Sequence, residues 1–203
     1  MGLILKSTNR SGESSYLTEM DLCLITTKLK KEFPIILKPI KAHPRKAAVL
    51  VMLYPKYNKT HVVMIKRALH LKSHAGEIGF PGGGYEEEKD KNLLATALRE
   101  TREEIGVHIE ASMVIAQLPI VNTRLGFEIT PFVSVLSESQ EFEPQEDEVD
   151  EILEIPFTSL FDTQQRNMGF LPKKNMIIYW YKHHRIWGAS AKILQKIQQL
   201  NEY

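Results

Sequence analysis

Three glutamates in the middle of the chain share one side of a predicted helix. In the segment 99–104, Glu100, Glu103 and Glu104 fall within an arc of about 100° when each residue turns 100°. Carboxylates this close repel one another by roughly a few tenths of a kcal/mol per exposed pair. A divalent cation turns that repulsion into ligation, because Mg²⁺ prefers carboxylate oxygens and shares its other positions with water and substrate phosphates. The spacing predicts either a metal site or a solvated acidic face.

Residues flanking the three glutamates favour the metal site. Arg99 precedes Glu103 by four residues, so its guanidinium can pair with that carboxylate and orient it. Upstream, the segment 76–84 is rich in glycine, including Gly82 and Gly83. Glycine lets backbone N–H groups approach a phosphate closely, and a helix N-terminus nearby favours an anion further. A Gly-rich turn, a helix and a carboxylate triplet in this order predict a site for a metal and a phosphorylated ligand.

Apolar patterning predicts the elements that must position these residues. The carboxylate-bearing helix is expected at about 92–105, closed by Gly106. Residues 67–92 before it are expected to form a long loop, and the acidic residues 138–151 a second one. Strands are predicted at 47–54 and 61–66, which form a hairpin, and at 113–118, 127–136, 152–155 and 176–181; further helices are predicted at 18–33, capped by Thr18, and at 189–200. This order predicts one α/β (α+β) domain over 17–203, after a flexible terminus at 1–16.

Composition narrows the class of protein. The 203 residues include 26 Lys and Arg against 25 Asp and Glu, so bulk charge gives no reason to expect nucleic-acid binding. Cys23 is the single cysteine, which excludes an intramolecular disulfide framework or a multi-cysteine zinc module. No apolar run approaches the ~20 residues that span a bilayer. We therefore expect a soluble cytoplasmic protein with a small-molecule partner and no membrane or nucleic-acid partner.

The segment 82–107 resembles the Nudix box of the Nudix hydrolases, G-x5-E-x7-R-E-U-x-E-E-x-G-U, where U is aliphatic. Its second half matches at Arg99, Glu100, Glu103, Glu104, Gly106 and Val107, with Thr101 in an aliphatic position. The first half departs from the pattern, because counting back from Arg99 places the family glutamate on Lys91. An insertion of two or three residues near 85–92 is expected. Four residues remain candidates for the early acidic position: Glu86, Glu87, Glu88 and Asp90.

A second motif resembles the coenzyme A pyrophosphatase branch of that family. The branch pattern L-L-T-x-R-[SA]-x3-R-x3-G-x3-F-P-G-G corresponds here to the segment 63–83, which contains Arg67, Gly76, Gly82 and Gly83. Lys72 replaces the second arginine and keeps the charge without the bidentate fork. The tail segment 184–191 also resembles the branch. The resemblance implies a Nudix-type α/β/α sandwich with a mixed β-sheet.

The same resemblance implies metal-dependent hydrolysis of the diphosphate bond of coenzyme A or acyl-coenzyme A. The implied cofactor is Mg²⁺ or Mn²⁺, with Glu100 and Glu104 as direct ligands and Glu103 as a further ligand or base. Glu100, Glu103 and Arg99 are the expected catalytic residues. Arg67, Lys72, Gly82 and Gly83 are the expected substrate-binding residues; Lys66, Arg45 and Arg124 are unmatched cationic alternatives. Glu146, Glu148 and Glu151 are open candidates for a base supplied by a distant loop.

Other functions remain open at the level of sequence. The chain could hydrolyse another nucleoside diphosphate derivative, such as ADP-ribose, a dinucleotide or an oxidised nucleotide, because family membership does not determine the substrate. It could also be a non-catalytic binding module of the same fold. Trp180, Tyr181 and Trp187 are either core aromatics or a stacking surface for a base. A homodimer is left open.

Overall fold

A mixed β-sheet forms the centre of the computed structural model, which describes residues 21–37, 45–166 and 177–201. The helices are α1 (Leu22–Glu32), α2 (Leu93–Ile105), α3 (Phe157–Phe161) and α4 (Gly188–Asn201). The strands are β1 (Lys46–Lys56), β2 (Lys59–Arg67), β3 (Ile78–Gly79), β4 (Gly82–Gly84), β5 (Val114–Gln117), β6 (Val121–Asn122), β7 (Glu128–Val135), β8 (Val149–Pro156), β9 (Gln165–Arg166), β10 (Ile177–Tyr181) and β11 (His184–Ile186).

Eight of these strands form the central sheet, and five of them follow one another in the order β3-β2-β1-β7-β5. In addition, β4 pairs with β1, β6 with β7, and β8 with β2. Strand β1 runs parallel to β7, with Lys46–Leu53 aligned against Glu128–Val135, and antiparallel to β2 and β4. The predicted β1–β2 hairpin is confirmed, and it turns at Tyr57 and Asn58, whose φ angles are 50° and 58°. Strands β9, β10 and β11 form a separate small sheet.

Two apolar cores cover the two faces of the central sheet. Alternate side chains of β1 point to opposite faces, so Val51 and Leu53 join one core while Leu50 and Met52 join the other. Helices α1, α3 and α4 pack on the first face, and α2 packs on the second. The expected α/β/α sandwich with a mixed sheet is confirmed, and its second face holds the carboxylate-bearing helix alone among the described helices.

The structure corrects some predicted boundaries. Helix α1 begins at Leu22, not residue 18, because extended Asp21 caps it by accepting hydrogen bonds from the N–H groups of Cys23 and Leu24. The expected loop 67–92 contains β3 and β4, and the acidic loop ends where β8 begins at Val149. Thr18 and the segment 1–16 lie outside the described residues. None of the described helices is long and apolar enough to cross a membrane.

Glu154 forms a polar cluster at the end of β1 opposite the Gly-rich turn. Its carboxylate accepts hydrogen bonds from the Tyr54 hydroxyl at 2.5 Å, Lys56 Nζ at 2.7 Å and Ser139 Oγ at 3.1 Å. Burial raises the pKa of Glu154, but the hydrogen bonds from Lys56 and Tyr54 outweigh it and hold that pKa below its ordinary 4.5. The cluster therefore stabilises the fold above pH 4.5, and this contribution is lost as the pH falls further.

Glu154→Gln is expected to lower the free energy of unfolding at pH 7 by about 1–2 kcal/mol, because it removes charged hydrogen bonds from a half-buried group. Urea denaturation at pH 7 and pH 3.5 measures this, and the difference between wild type and variant is expected to shrink at the lower pH. Glu141→Gln, an exposed change of the same type, serves as the control. A difference independent of pH would contradict the role given to the ionised carboxylate.

Candidate active site

Helix α2 is held in place at both ends and along its apolar side. Asn92 caps its start by accepting a hydrogen bond from the Ala95 N–H at 2.9 Å, and Gly106 ends it in the left-handed conformation with φ 74°. Leu94 and Ala97 are buried against β1. The predicted helix 92–105 and its glycine end are thus confirmed. The helix side that carries the glutamates faces the Gly-rich turn at β4.

Glu104 is the deepest of the three glutamates, with only 1% of its surface exposed. The Gly82 N–H donates to its Oε2 at 2.9 Å, and Arg67 Nη1 lies 3.4 Å from its Oε1. Burial first, and then the negative charges of Glu100 and Glu148, raise the pKa of Glu104 to about 8 against the opposing effects of Gly82 and Arg67. Positive charge placed beside Glu104 would therefore stabilise the ionised form of this buried carboxylate.

Glu100 lies one turn earlier, directly against the backbone of Gly83. A Cβ placed on Gly83 would lie 2.4 Å from Glu100 Cδ, so only glycine leaves room for the carboxylate. Burial raises the pKa of Glu100, Arg99 lowers it, and the charges of Glu103 and Glu148 raise it again. Glu100 and Glu104 therefore share one negative environment, to which Glu148 contributes.

Arg99 contacts four acidic side chains: Glu86 and Asp90, which precede α2, and Glu100 and Glu103, which lie on it. Its Nη1 lies 2.8 Å from Glu103 Oε2 and 2.9 Å from Glu100 Oε1. Its Nε and Nη2 each donate to one oxygen of Asp90 at 2.9 Å, which is a bidentate pair. The predicted Arg99–Glu103 contact is confirmed. Glu103 is the exposed member of the triplet, with 54% of its side chain accessible.

Of the four candidates for the early acidic position, Asp90 is the one that forms a bidentate pair with Arg99. Its carboxylate is 1% exposed and also accepts hydrogen bonds from Thr96 Oγ1 and the Glu86 N–H. Burial raises the pKa of Asp90, but these bonds, with Arg99 first, keep it below the ordinary value. The insertion expected near 85–92 includes a turn in which the Asp90 N–H donates to the Glu86 carbonyl. Glu86 itself lies 3.7 Å from Arg99 at an exposed position.

The acidic loop before β8 packs on the C-terminal end of α2. The N–H groups of Glu143 and Gln145 donate to the carbonyls of Ile105 and Glu104 at 3.0 and 2.9 Å, which satisfies two free helix carbonyls. The Glu148 carbonyl accepts from the Ala68 N–H at 2.9 Å. Among Glu146, Glu148 and Glu151, Glu148 is the residue whose charge acts on both Glu100 and Glu104.

The two predicted cationic contacts differ in position. Arg67 reaches Glu104 across a register shift in β2, and its Nε is buried without a hydrogen-bond partner among the described residues. Its backbone closes the following loop, since the Arg67 N–H donates to the Glu77 carbonyl and its carbonyl accepts from the Gly76 N–H, both at 3.0 Å. Lys72 is exposed within that loop. The structure therefore brings Arg67, and not Lys72, to the carboxylates.

The donor set fits a hard divalent cation. Its oxygens come from carboxylates alone; Glu104 is buried and Glu100 half-buried, and the pKa of each is raised by burial and by neighbouring negative charge. Within the part of the chain that the structure describes, no three His, Cys, Asp or Glu side chains already surround one point. Arg99 and Arg67 contact Glu100 and Glu104 respectively, so a cation would compete with these guanidinium groups for the carboxylate oxygens.

Comparison with known proteins agrees with this geometry. A model of the NUDIX domain matches residues 44–181. The chain is 31% identical over 175 residues to the Nudix hydrolase NudL of Pectobacterium atrosepticum, covering 84% of this chain and 90% of that protein. NudL of Salmonella paratyphi B is 31% identical over 170 residues, covering 80% and 88%.

Solved structures support the same fold. The MutT/nudix family protein from Enterococcus faecalis superposes with a TM-score of 0.56 at 16% identity, covering 88% of this chain and 68% of that one. The Nudix hydrolase RenU from M. smegmatis gives a TM-score of 0.51 at 16% identity, covering 78% and 86%. The chain therefore belongs to the Nudix family and is a hydrolase that acts on diphosphate bonds.

Proposed function

We propose that this hydrolase cleaves the diphosphate bond of coenzyme A or acyl-coenzyme A, giving 4′-phosphopantetheine and adenosine 3′,5′-bisphosphate. The observation that carries the proposal is the construction of the segment 67–83. Arg67, at one end of the motif, and Gly82, at the other, both contact the same carboxylate of Glu104. The backbone bonds from Arg67 to Gly76 and Glu77 close the intervening loop. The motif that resembles the coenzyme A branch thus forms one unit with the carboxylates.

Nudix hydrolases use divalent metal ions, and we propose that Glu100 and Glu104 hold Mg²⁺ or Mn²⁺ here. When bound, the ion neutralises the diphosphate and makes water more acidic. Arg99 orients Glu100 and Glu103 by contacts of 2.9 and 2.8 Å. Arg67 supplies positive charge beside Glu104, where the diphosphate would lie, and its buried Nε has a donor still to satisfy.

Glu148 is our candidate for the base that removes a proton from the attacking water. Its side chain is exposed and forms no ion pair with the described residues, and its charge reaches both Glu100 and Glu104. Glu103 is less suited, because Arg99 Nη1 already donates to its Oε2. Glu151 lies instead beside His184, with 3.3 Å between the carboxylate and Nε2.

A metal-dependent assay tests the proposed substrate. The purified chain is incubated with Mg²⁺ or Mn²⁺ and, separately, coenzyme A, ADP-ribose or 8-oxo-dGTP, and products are identified by mass spectrometry. We expect the highest kcat/KM with coenzyme A, and masses for 4′-phosphopantetheine and adenosine 3′,5′-bisphosphate. If the protein hydrolyses ADP-ribose or 8-oxo-dGTP but does not cleave coenzyme A, the proposed substrate is wrong and the alternative class of nucleoside diphosphate derivatives is assigned instead. A chelator is expected to stop turnover of any substrate.

The two adjacent glycines of β4 are expected to respond differently to alanine. Gly83→Ala places Cβ 2.4 Å from Glu100 Cδ, so the carboxylate must move and turnover is expected to fall at least about 10-fold with little change in stability. Gly82→Ala combines φ +149° with a Cβ 2.2 Å from the Ala48 carbonyl oxygen, and is expected to cost more than about 2 kcal/mol of stability. Turnover and urea denaturation of both variants measure this contrast; equal stability losses would contradict it.

A further inference from the structure

The C-terminal part of the chain carries a charge opposite to that of the catalytic glutamates. Residues 163–201 contain seven Lys and Arg and no Asp or Glu, although the whole chain is nearly neutral. The seven are Arg166, Lys173, Lys174, Lys182, Arg185, Lys192 and Lys196. A local excess of positive charge attracts anionic ligands over several ångströms of solvent. This segment includes the β10–β11 hairpin.

The outward side of that hairpin combines an aromatic ring with a guanidinium. In the antiparallel pairing, Tyr179 lies opposite Ile186, and both are fully buried. Arg185 points to the other side of the strand and is exposed, and Trp187 just beyond β11 is 39% exposed. The Arg185 guanidinium carbon lies 5.8 Å from the centre of the Trp187 ring. The hairpin therefore presents a π-face and a cation together.

Contacts connect this hairpin to the strand that leads into the Gly-rich turn. Strand β11 packs against β3, and Ser190 Oγ, in the first turn of α4, donates to the Ile78 carbonyl at 3.2 Å. Ile78 precedes Gly82 by four residues, so at most about 14 Å of extended chain separates them. His184, on the buried side of β11, lies 3.3 Å from Glu151, which follows Glu148 by three residues. The hairpin thus lies beside β3, which leads into the Gly-rich turn, and β8, which follows the acidic loop.

We propose that Arg185 and Trp187 form a subsite for the nucleoside 3′-phosphate end of the substrate, with the indole stacking on the base and the guanidinium binding the phosphate. This inference rests on the proposed function, since it deepens the substrate assignment. Glu100 and Glu104 take the diphosphate through the metal, so the nucleoside end must lie outside that acidic centre. Its 3′-phosphate needs a cation, and its base needs an aromatic face. The hairpin supplies both, and its turn carries a second cation, Lys182, with Nζ 5.3 Å from the Tyr181 ring.

Kinetics with coenzyme A and 3′-dephospho-coenzyme A test the subsite. Arg185→Gln is expected to raise KM for coenzyme A about 10-fold, with kcat and the KM for the dephospho substrate changed less than about 2-fold. Trp187→Leu is expected to raise KM for both substrates, because both carry the base. Lys192→Gln removes the same charge from the same acid-free segment, but beside Leu118 and Val121, and is expected to change neither KM. Equal effects of Arg185→Gln on the two substrates, or a loss confined to kcat, would overturn the subsite.

Calorimetry separates failure of the subsite from failure of the proposed function. Adenosine 3′,5′-bisphosphate is titrated into the full chain and into each variant, after circular dichroism confirms folding. Wild-type and Lys192→Gln proteins are expected to bind it alike, and Arg185→Gln about 10-fold more weakly. Such binding without cleavage of coenzyme A would support the subsite and reject the proposed substrate. Cleavage of coenzyme A with no effect of Arg185→Gln on binding would reject the subsite alone. Binding of single-stranded RNA through Arg185, without binding of the bisphosphate, would also reject it.

Discussion

Glu104→Gln is expected to reduce turnover at least about 100-fold while the protein stays folded. The amide keeps the size of the side chain and an oxygen that can accept the hydrogen bond from the Gly82 N–H, which lies 2.9 Å from Glu104 Oε2. It removes the negative charge from a side chain that is 1% exposed and that we propose as a metal ligand. Burial and neighbouring negative charge raise the pKa of Glu104 to about 8, so keeping this carboxyl buried costs free energy near neutral pH, and its neutral replacement is expected to leave the stability equal or higher.

Three measurements on this variant separate catalysis from folding. Turnover is measured under saturating Mg²⁺ and Mn²⁺, Mn²⁺ affinity by calorimetry, and stability by urea denaturation. The matched control is Glu110→Gln, since Glu110 is exposed and paired with His108 on the surface. Turnover within about 2-fold of wild type would refute the ligand role. A large loss of stability would show that the carboxylate supports the fold.

Asp90→Asn is expected to lower the free energy of unfolding by about 3 kcal/mol and turnover by roughly 10-fold. The variant leaves the Arg99 guanidinium, only 16% exposed, without its bidentate partner. It also weakens the acceptor for Thr96 and the Glu86 N–H. Asp90 acts as a positioning residue, because it fixes the Arg99 guanidinium, which in turn contacts Glu100 and Glu103.

A double-mutant cycle with Asp90→Asn and Arg99→Met measures the pair directly. The coupling energy is expected to exceed about 1 kcal/mol, and the turnover loss of Asp90→Asn to appear in kcat with KM nearly unchanged. Glu86→Gln is the control, since Glu86 is 3.7 Å from Arg99 and half exposed, and its effect is expected within about 0.5 kcal/mol. A coupling near zero would mean that Asp90 and Arg99 act independently.

Local signals in the sequence predicted the central helix well. Helix α2 and its end at Gly106 follow from periodicity and from the glycine requirement of a left-handed residue. The paired spacing of Arg99 and Glu103 also predicted their contact. These features depend on neighbours within one or two helical turns. For the same reason, the β1–β2 hairpin was recognisable from two apolar runs separated by a polar turn.

Features that depend on distant packing were not predictable in this way. Asp90 could not be selected from its neighbours by counting, because a turn at 86–90 changes the spacing. Glu148 could not be distinguished from Glu146 and Glu151, because the effect of its charge on Glu100 and Glu104 depends on how the acidic loop caps α2 through Gln145. The strands β3 and β4 carry few side chains that signal a strand, and their identity comes from backbone pairing with β2 and β1.

The parallel pairing of β1 with β7 has a consequence for how the protein is made. Lys46 aligns with Glu128, so the Gly-rich turn and all of α2 lie within the chain segment that this pairing closes. Long-range parallel contacts form late in folding, because the entropy of loop closure is spent before the contacts stabilise the chain. During synthesis, a ribosome that has released residues 82–104 has not yet released the strand that completes the sheet beneath them. The nascent chain therefore carries every box residue before it can hold them in their working arrangement.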